Sequence, residues 1–128
     1  MNSLQQYVAD TLEDHLEYYD GDMEAVLDDA MRGTDTGWWN DLIYYTDIRR
    51  LFVQHRRCIA EAVLDYEYAV GENPMQHNLT AAHFLLAMSA SEDDLRNDDA
   101  LDMAASWLTR FAVEWETHKY ASRNGYEI

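Results

Sequence analysis

Apolar side chains recur every three or four residues along nearly the whole chain, the period of a helix with one buried face. No stretch keeps the two-residue alternation of a half-buried strand. Leu4, Val8, Thr11, Leu12, His15 and Tyr19 share one such face, which predicts a first helix from about Leu4 to Tyr19, capped by Asn2 or Ser3. Asp10, Glu13, Asp14 and Glu17 occupy the opposite arc. Asp20-Gly21-Asp22 reads as a turn, and Asp22 as the cap of a second helix, Met23 to Arg32, stopped by Gly33. That helix adds Glu24, Asp28 and Asp29 to the acids. Gly33 to Gly37 reads as a loop, and the very apolar Trp38 to Tyr45 as a short helix.

Beyond Thr46 or Asp47, either of which can cap, Ile48, Leu51, Phe52, His55, Ile59, Val63, Tyr66 and Val70 keep helical period. Val53, Ala60 and Leu64 draw a second apolar line on the far side, which predicts a helix buried on two sides at the centre of a bundle. Gly71 ends this helix, and Glu72 to Asn78, which holds the only proline, Pro74, is the clearest loop. Asn78 or Thr80 can cap a helix reaching about Ala90 and carrying Phe84, Leu85 and Met88. Ser91-Glu92-Asp93-Asp94 is a start signal with acids in the first turn, where the helix dipole favours them. Asp98 restarts the helix, which runs to about Ala121 with Leu101, Ala104, Ala105, Leu108, Phe111, Ala112 and Trp115 on one face. Ser122 to Ile128 is a polar tail. The predicted fold class is all-α: a single-domain bundle over 1–128, with five or six helices and one long central helix from about 47 to 70.

Composition agrees with a packed domain. The chain has 128 residues, 48% of them hydrophobic and 12% aromatic, which is too apolar for a disordered acidic tail. A lone cysteine, Cys58, excludes an internal disulfide framework and fits a reducing compartment. No run approaches the ~18 to 20 apolar residues of a membrane span, and Met1 to Gln5 lacks the start of a signal peptide. A cytoplasmic protein with no membrane partner is expected.

Charge changes the picture. The chain carries 25 Asp plus Glu against 9 Lys plus Arg, a formal net charge of −16. From Met1 to Asp47 twelve acids face one base, Arg32; from Ile48 to Val70 four Arg face Glu61, Asp65 and Glu67; from Gly71 onward ten acids face four bases. Like charges on one compact body destabilise it, so such an excess points to a reason outside the fold. One reason is a strongly basic partner. The other is a salty cytoplasm, which the eight Arg and single Lys119 also fit, but that reading expects an even spread of acids.

No catalytic or metal constellation accompanies the acids. None of the five histidines has a Glu three positions before it, so the Glu-x-x-His motif of di-iron bundles is missing. His55 and Cys58, three apart, read as buried packing residues, His15 as a core histidine, and Glu114 with His118 as a helical surface pair. There is no Gly-x-Ser-x-Gly elbow and no Gly-rich phosphate loop, and Cys58 lies inside a periodic helix. No enzyme, cofactor or metal site is expected.

Arg49, Arg50, Arg56 and Arg57 fall a heptad apart on the long helix and read as neutralising nearby acids rather than touching nucleic acid. Direct duplex binding rests on excess positive charge, which this chain lacks. The acids invite the opposite reading. Residues three and four apart on a helix lie ~5 to 6 Å apart at Cβ, so carboxylates can imitate the spacing of phosphates along a strand. Asp10, Glu13, Asp14, Glu17, Asp20, Asp22, Glu24, Asp28 and Asp29 supply the density that a DNA mimic needs and form the candidate partner-binding set.

Leu42-Ile43-Tyr44-Tyr45-Thr46-Asp47 before a long helix, and Trp107-Leu108-Thr109-Arg110-Phe111-Ala112-Val113-Glu114, resemble stretches in a family of small phage-borne helical proteins of unknown function. The likeness spans about Trp38 to Tyr120 and implies origin, not mechanism. In size, charge and helicity the chain also looks like the acidic anti-restriction and anti-CRISPR proteins of phages. The resulting expectation is an inhibitor that binds the basic nucleic-acid-binding surface of a host defence complex by DNA mimicry. The alternative is an acidic helical interaction or structural protein with a solvated, halophile-type surface. Trp38, Trp39 and the two-sided long helix offer a seam for a homodimer.

Overall fold

A computed structural model describes residues 2–31, 39, 45–71 and 80–126. Among them lie six α-helices, one 3-10 turn and no strand: α1 (Ser3–Asp14), the 3-10 turn (Leu16–Tyr19), α2 (Met23–Met31), α3 (Tyr45–Val70), α4 (Ala81–Ser89), α5 (Glu92–Asn97) and α6 (Asp99–Arg123). The all-α class read from the periodicity is the class found. Two compact units form: one from residues 1–43 with 113–128, the other from residues 44–112. The halves of α6 belong to different units.

In the first unit, Asn2 and Gln5 cap α1 reciprocally, each side chain accepting the other's backbone N–H at 2.9 Å. Leu4, Val8, Ala9 and Leu12 are its buried face. The helix stops at Asp14, well short of the expected Tyr19. Glu13 and Asp14 sit at the negative end of its dipole with no base in the last turn to offset them. The chain tightens into the 3-10 turn and enters left-handed backbone at Asp20, φ 54°, a region Asp tolerates better than most residues. Asp22 then accepts the Ala25 N–H at 3.3 Å as α2 begins, burying Met23, Val26, Leu27 and Ala30. The second half of α6 adds Val113, Thr117, Tyr120 and Ala121 to this core. It runs slightly past the expected Ala121 and closes with Tyr126 N–H on Ala121 O at 2.9 Å and Gly125 N–H on Ser122 O at 3.2 Å. This double bond pattern needs a left-handed residue, which Gly125 (φ 77°) supplies.

In the second unit α3 starts at Tyr45, ahead of the expected caps, and ends as expected at Gly71, whose N–H reaches Glu67 O at 2.9 Å. The predicted helix Trp38–Tyr45 lies outside the described residues, apart from Trp39, which is buried, and Tyr45. Ile48, Leu51, Phe52, His55, Ile59, Ala62 and Val63 form the buried face of α3. Its second apolar line is not core: Val53 and Ala60 are half-buried and Leu64 is 61% exposed. Periodicity marks which positions share a face but not whether anything covers it. Thr80 caps α4 through the His83 N–H at 3.2 Å. Ser91 and Asp94 cap α5 reciprocally, and the Asp98 carboxylate accepts the N–H groups of Ala100 and Leu101 where α6 begins.

Candidate functional site

The nine candidate acids all fall in the first unit. Asp10, Glu13 and Asp14 lie on α1, Glu17 on the 3-10 turn, Asp20 and Asp22 in the connection, and Glu24, Asp28 and Asp29 on α2. They form no single helical array, because α1 ends before Glu17; instead they wrap the corner between α1 and α2. Eight are exposed and Asp29 is half-buried. Across its residues this unit holds fourteen Asp plus Glu against three bases, Arg32, Lys119 and Arg123, a net of −11; the second holds eleven against six, a net of −5. Of the three bases, Lys119 is committed to the buried Glu116 at 3.0 Å.

Neutral groups serve several of the nine. Gln6 Nε2 donates to Asp10 at 2.8 Å, the Ala25 N–H to Asp22, and the Tyr120 hydroxyl to Glu13 at 3.5 Å. Sequence reading missed Tyr120, which lies 107 positions from Glu13 and gives no local signal of the contact. Burial, and then the charge of Glu13, push the Tyr120 hydroxyl above its ordinary value, so it stays a donor.

The acids near α5 and α6 have work inside the fold. Asp94 and Asp98 cap helices, and Glu92 pairs with Arg96 at 2.8 Å. The Ser91 N–H, helped by the Ser91 side chain, holds the Asp94 carboxyl below its ordinary value. Asp102 is buried against Arg49 at 2.7 Å. Asp93 and Asp99 sit in first turns, where the dipole favours them. Among the acids of the α1–α2 corner, Asp22 likewise caps α2 and Glu24 lies in its first turn, whereas Glu13 and Asp14 oppose the α1 dipole.

The four arginines do not make one stripe. Arg49 is buried on Asp102. Arg56 donates to the Met88 and Ala90 carbonyls at the end of α4 and lies over the Phe52 ring, 5.4 Å from its centre. Arg57 is exposed beside Glu61 at 3.5 Å, and Arg50 is exposed. The two inward arginines therefore serve packing and capping.

His55 is buried where α3 departs from helical geometry (φ −116°, ψ 19°), and Cys58 is half-buried. His15 Nδ1 lies 2.8 Å from Thr11 O, and the His118 ring is 5.9 Å from that of Trp115. Among the described residues no group of three or more His, Cys, Asp or Glu is placed to hold a metal ion. No helix among them is long and apolar enough to cross a membrane.

No curated protein and no solved structure matches the chain significantly. A family model described as a domain of unknown function, DUF7222, matches residues 2–126, taking in the acidic corner as well as the long helices, and the chain belongs to that family.

Proposed function

We propose that the protein is an anti-defence inhibitor, carried by a phage or other mobile element, that acts by binding rather than catalysis. The acids of the α1–α2 corner occupy the basic nucleic-acid-binding surface of a host restriction or CRISPR complex, taking the place of DNA. One observation carries this reading: a net of −11 gathers on one compact unit, with eight of the nine candidate acids exposed around the α1–α2 corner and two of them, Glu13 and Asp14, set against the α1 dipole. Charge held against local stability, as at Glu13 and Asp14, fits a partner outside the fold. Long-range attraction speeds association, and stoichiometric occupation then blocks DNA.

The test is competition. A partner captured from host lysate is titrated with duplex DNA in the presence of the protein, and then of the variant Asp10→Asn/Glu13→Gln/Asp14→Asn/Glu17→Gln. The expected result is displacement of DNA by the native protein and loss of displacement by the variant. Undisturbed DNA binding at saturating protein, or equal displacement by both, overturns the proposal. The second reading, an acidic interaction or structural protein with a solvated or salt-adapted surface, rests on the same charge but predicts no competition.

A further inference from the structure

α4 is the least charged element of a chain with 27% charged residues: Ala81–Ser89 contains no Asp, Glu, Lys or Arg. Only Ala87 of this helix is buried, and Leu85 and Leu86 are 67% and 56% exposed. Beside Leu86 the second unit is grooved, with a cavity of about 300 Å³. Leu86, Ala90 and Leu101 give it apolar walls, while Asp94, Asp98 and Asn97 give it polar ones. Apolar walls and two carboxylates together select the occupant. A purely apolar side chain would take both carboxylates out of water with no opposite charge to balance them, and a simple cation would leave the leucines wet. An arginine satisfies both parts, because its stem packs on hydrocarbon while its planar guanidinium can bridge two carboxylates.

We infer that this groove is a docking site for an arginine side chain of a protein partner. It rests on the reading above only for the partner's basic character, and it would add a short-range anchor in the second unit to the long-range attraction of the first. Each carboxylate is fixed by its capping role. Asp94 is held by the Ser91 N–H at 3.0 Å, and Asp98 by the N–H groups of Ala100 and Leu101 at 3.0 and 3.2 Å. Little ordering is then left for binding to supply.

The same capping roles make the test clean, since Asn keeps the accepting oxygen and loses only the charge. The ¹⁵N-labelled protein is titrated with n-butylguanidinium, and separately with guanidinium and n-butanol, while amide shifts are followed by NMR. The expected result is saturable movement of the Leu86, Ala90, Asn97 and Leu101 amides with n-butylguanidinium alone. Affinity should fall roughly tenfold in Asp94→Asn/Asp98→Asn, with thermal melting showing that the variant is folded. No saturable movement in the groove, equal response to guanidinium, or undiminished affinity of the folded variant overturns the assignment. The titration uses no host protein, so failure of the DNA-competition experiment leaves this result standing, and the reverse holds too.

Discussion

Arg49 and Asp102, 53 positions apart, meet in the second unit as a buried ion pair, Nε to Oδ1 2.7 Å, with side chains 10% and 4% exposed. Burial pushes the Asp102 carboxyl above its ordinary value, so the cost of removing its charge from water exceeds what Arg49 returns. A carboxyl raised in the fold contributes stability below its unfolded value and loses that contribution as pH rises through its folded value. The pair is therefore expected to set how α3 meets α6 more than to stabilise their meeting. Asp102→Ala leaves a buried guanidinium without its carboxylate and is expected to cost about 3–5 kcal/mol. Arg49→Met/Asp102→Leu is expected to be neutral or more stable by about 1–4 kcal/mol. Urea unfolding of both variants decides, and a double variant as unstable as Asp102→Ala would show that the attraction dominates.

His55 gives the fold an acid-side dependence of opposite sign. Its burial holds the imidazole below the ordinary 6.5, so the unfolded chain takes up the proton more readily than the folded one. The resulting stability is complete above 6.5 and is lost as pH falls from there through the lower, folded value. Native protein should lose stability relative to His55→Gln between about pH 7.5 and about pH 5. Urea midpoints of the two proteins at both ends of that interval measure it. A constant difference would show that His55 does not titrate differently on unfolding.

These two sites mark where sequence reading stops. Helix positions, caps at Asn2, Thr80 and Ser91, and the stop at Gly71 are local, set by a few adjacent residues, and were legible. The end of α1 at Asp14 was not, because apolar spacing continues to Tyr19 while the adverse dipole and the left-handed Asp20 interrupt the helix. Arg49 finding Asp102, Arg56 finding the end of α4 and Tyr120 finding Glu13 are long-range pairings that no local pattern encodes. The candidate acids were legible as a set, being polar positions off an apolar face. Their arrangement around a corner was not, since it depends on where α1 stops.

That corner yields a stability prediction. Glu13 and Asp14 lie in the last turn of α1, where an exposed negative charge is unfavourable by roughly 0.3–1 kcal/mol at low salt and by less as salt is added. Glu13→Gln/Asp14→Asn should raise stability by a few tenths of a kcal/mol while keeping the acceptor for Tyr120. Thermal melting at low ionic strength reads the gain. A loss would mean that these carboxylates hold the native turn together.

Salt separates the two readings of the acidic surface, because they make different demands on the same charges. The reach of an exposed charge falls from ~30 Å at 0.01 M salt to ~3 Å at 1 M. Self-repulsion weakens accordingly, so added salt raises folding stability under either reading. Only a salt-adapted protein needs it, remaining unfolded or molten near ~0.1 M and folding as molar salt is added. Here Leu4, Leu12, Leu27, Phe52, Ile59, Leu95 and Leu108 are fully buried, and that burial should keep the chain folded at ~0.1 M despite a charge of −16. The complex with a basic partner should respond in the opposite direction, weakening steeply across ~0.05 to 1 M salt as the attraction of the first unit is screened. Circular-dichroism melts and a binding titration over that range measure both slopes. A chain unfolded at the low end defeats the inhibitor reading, and so does a complex whose affinity is flat in salt.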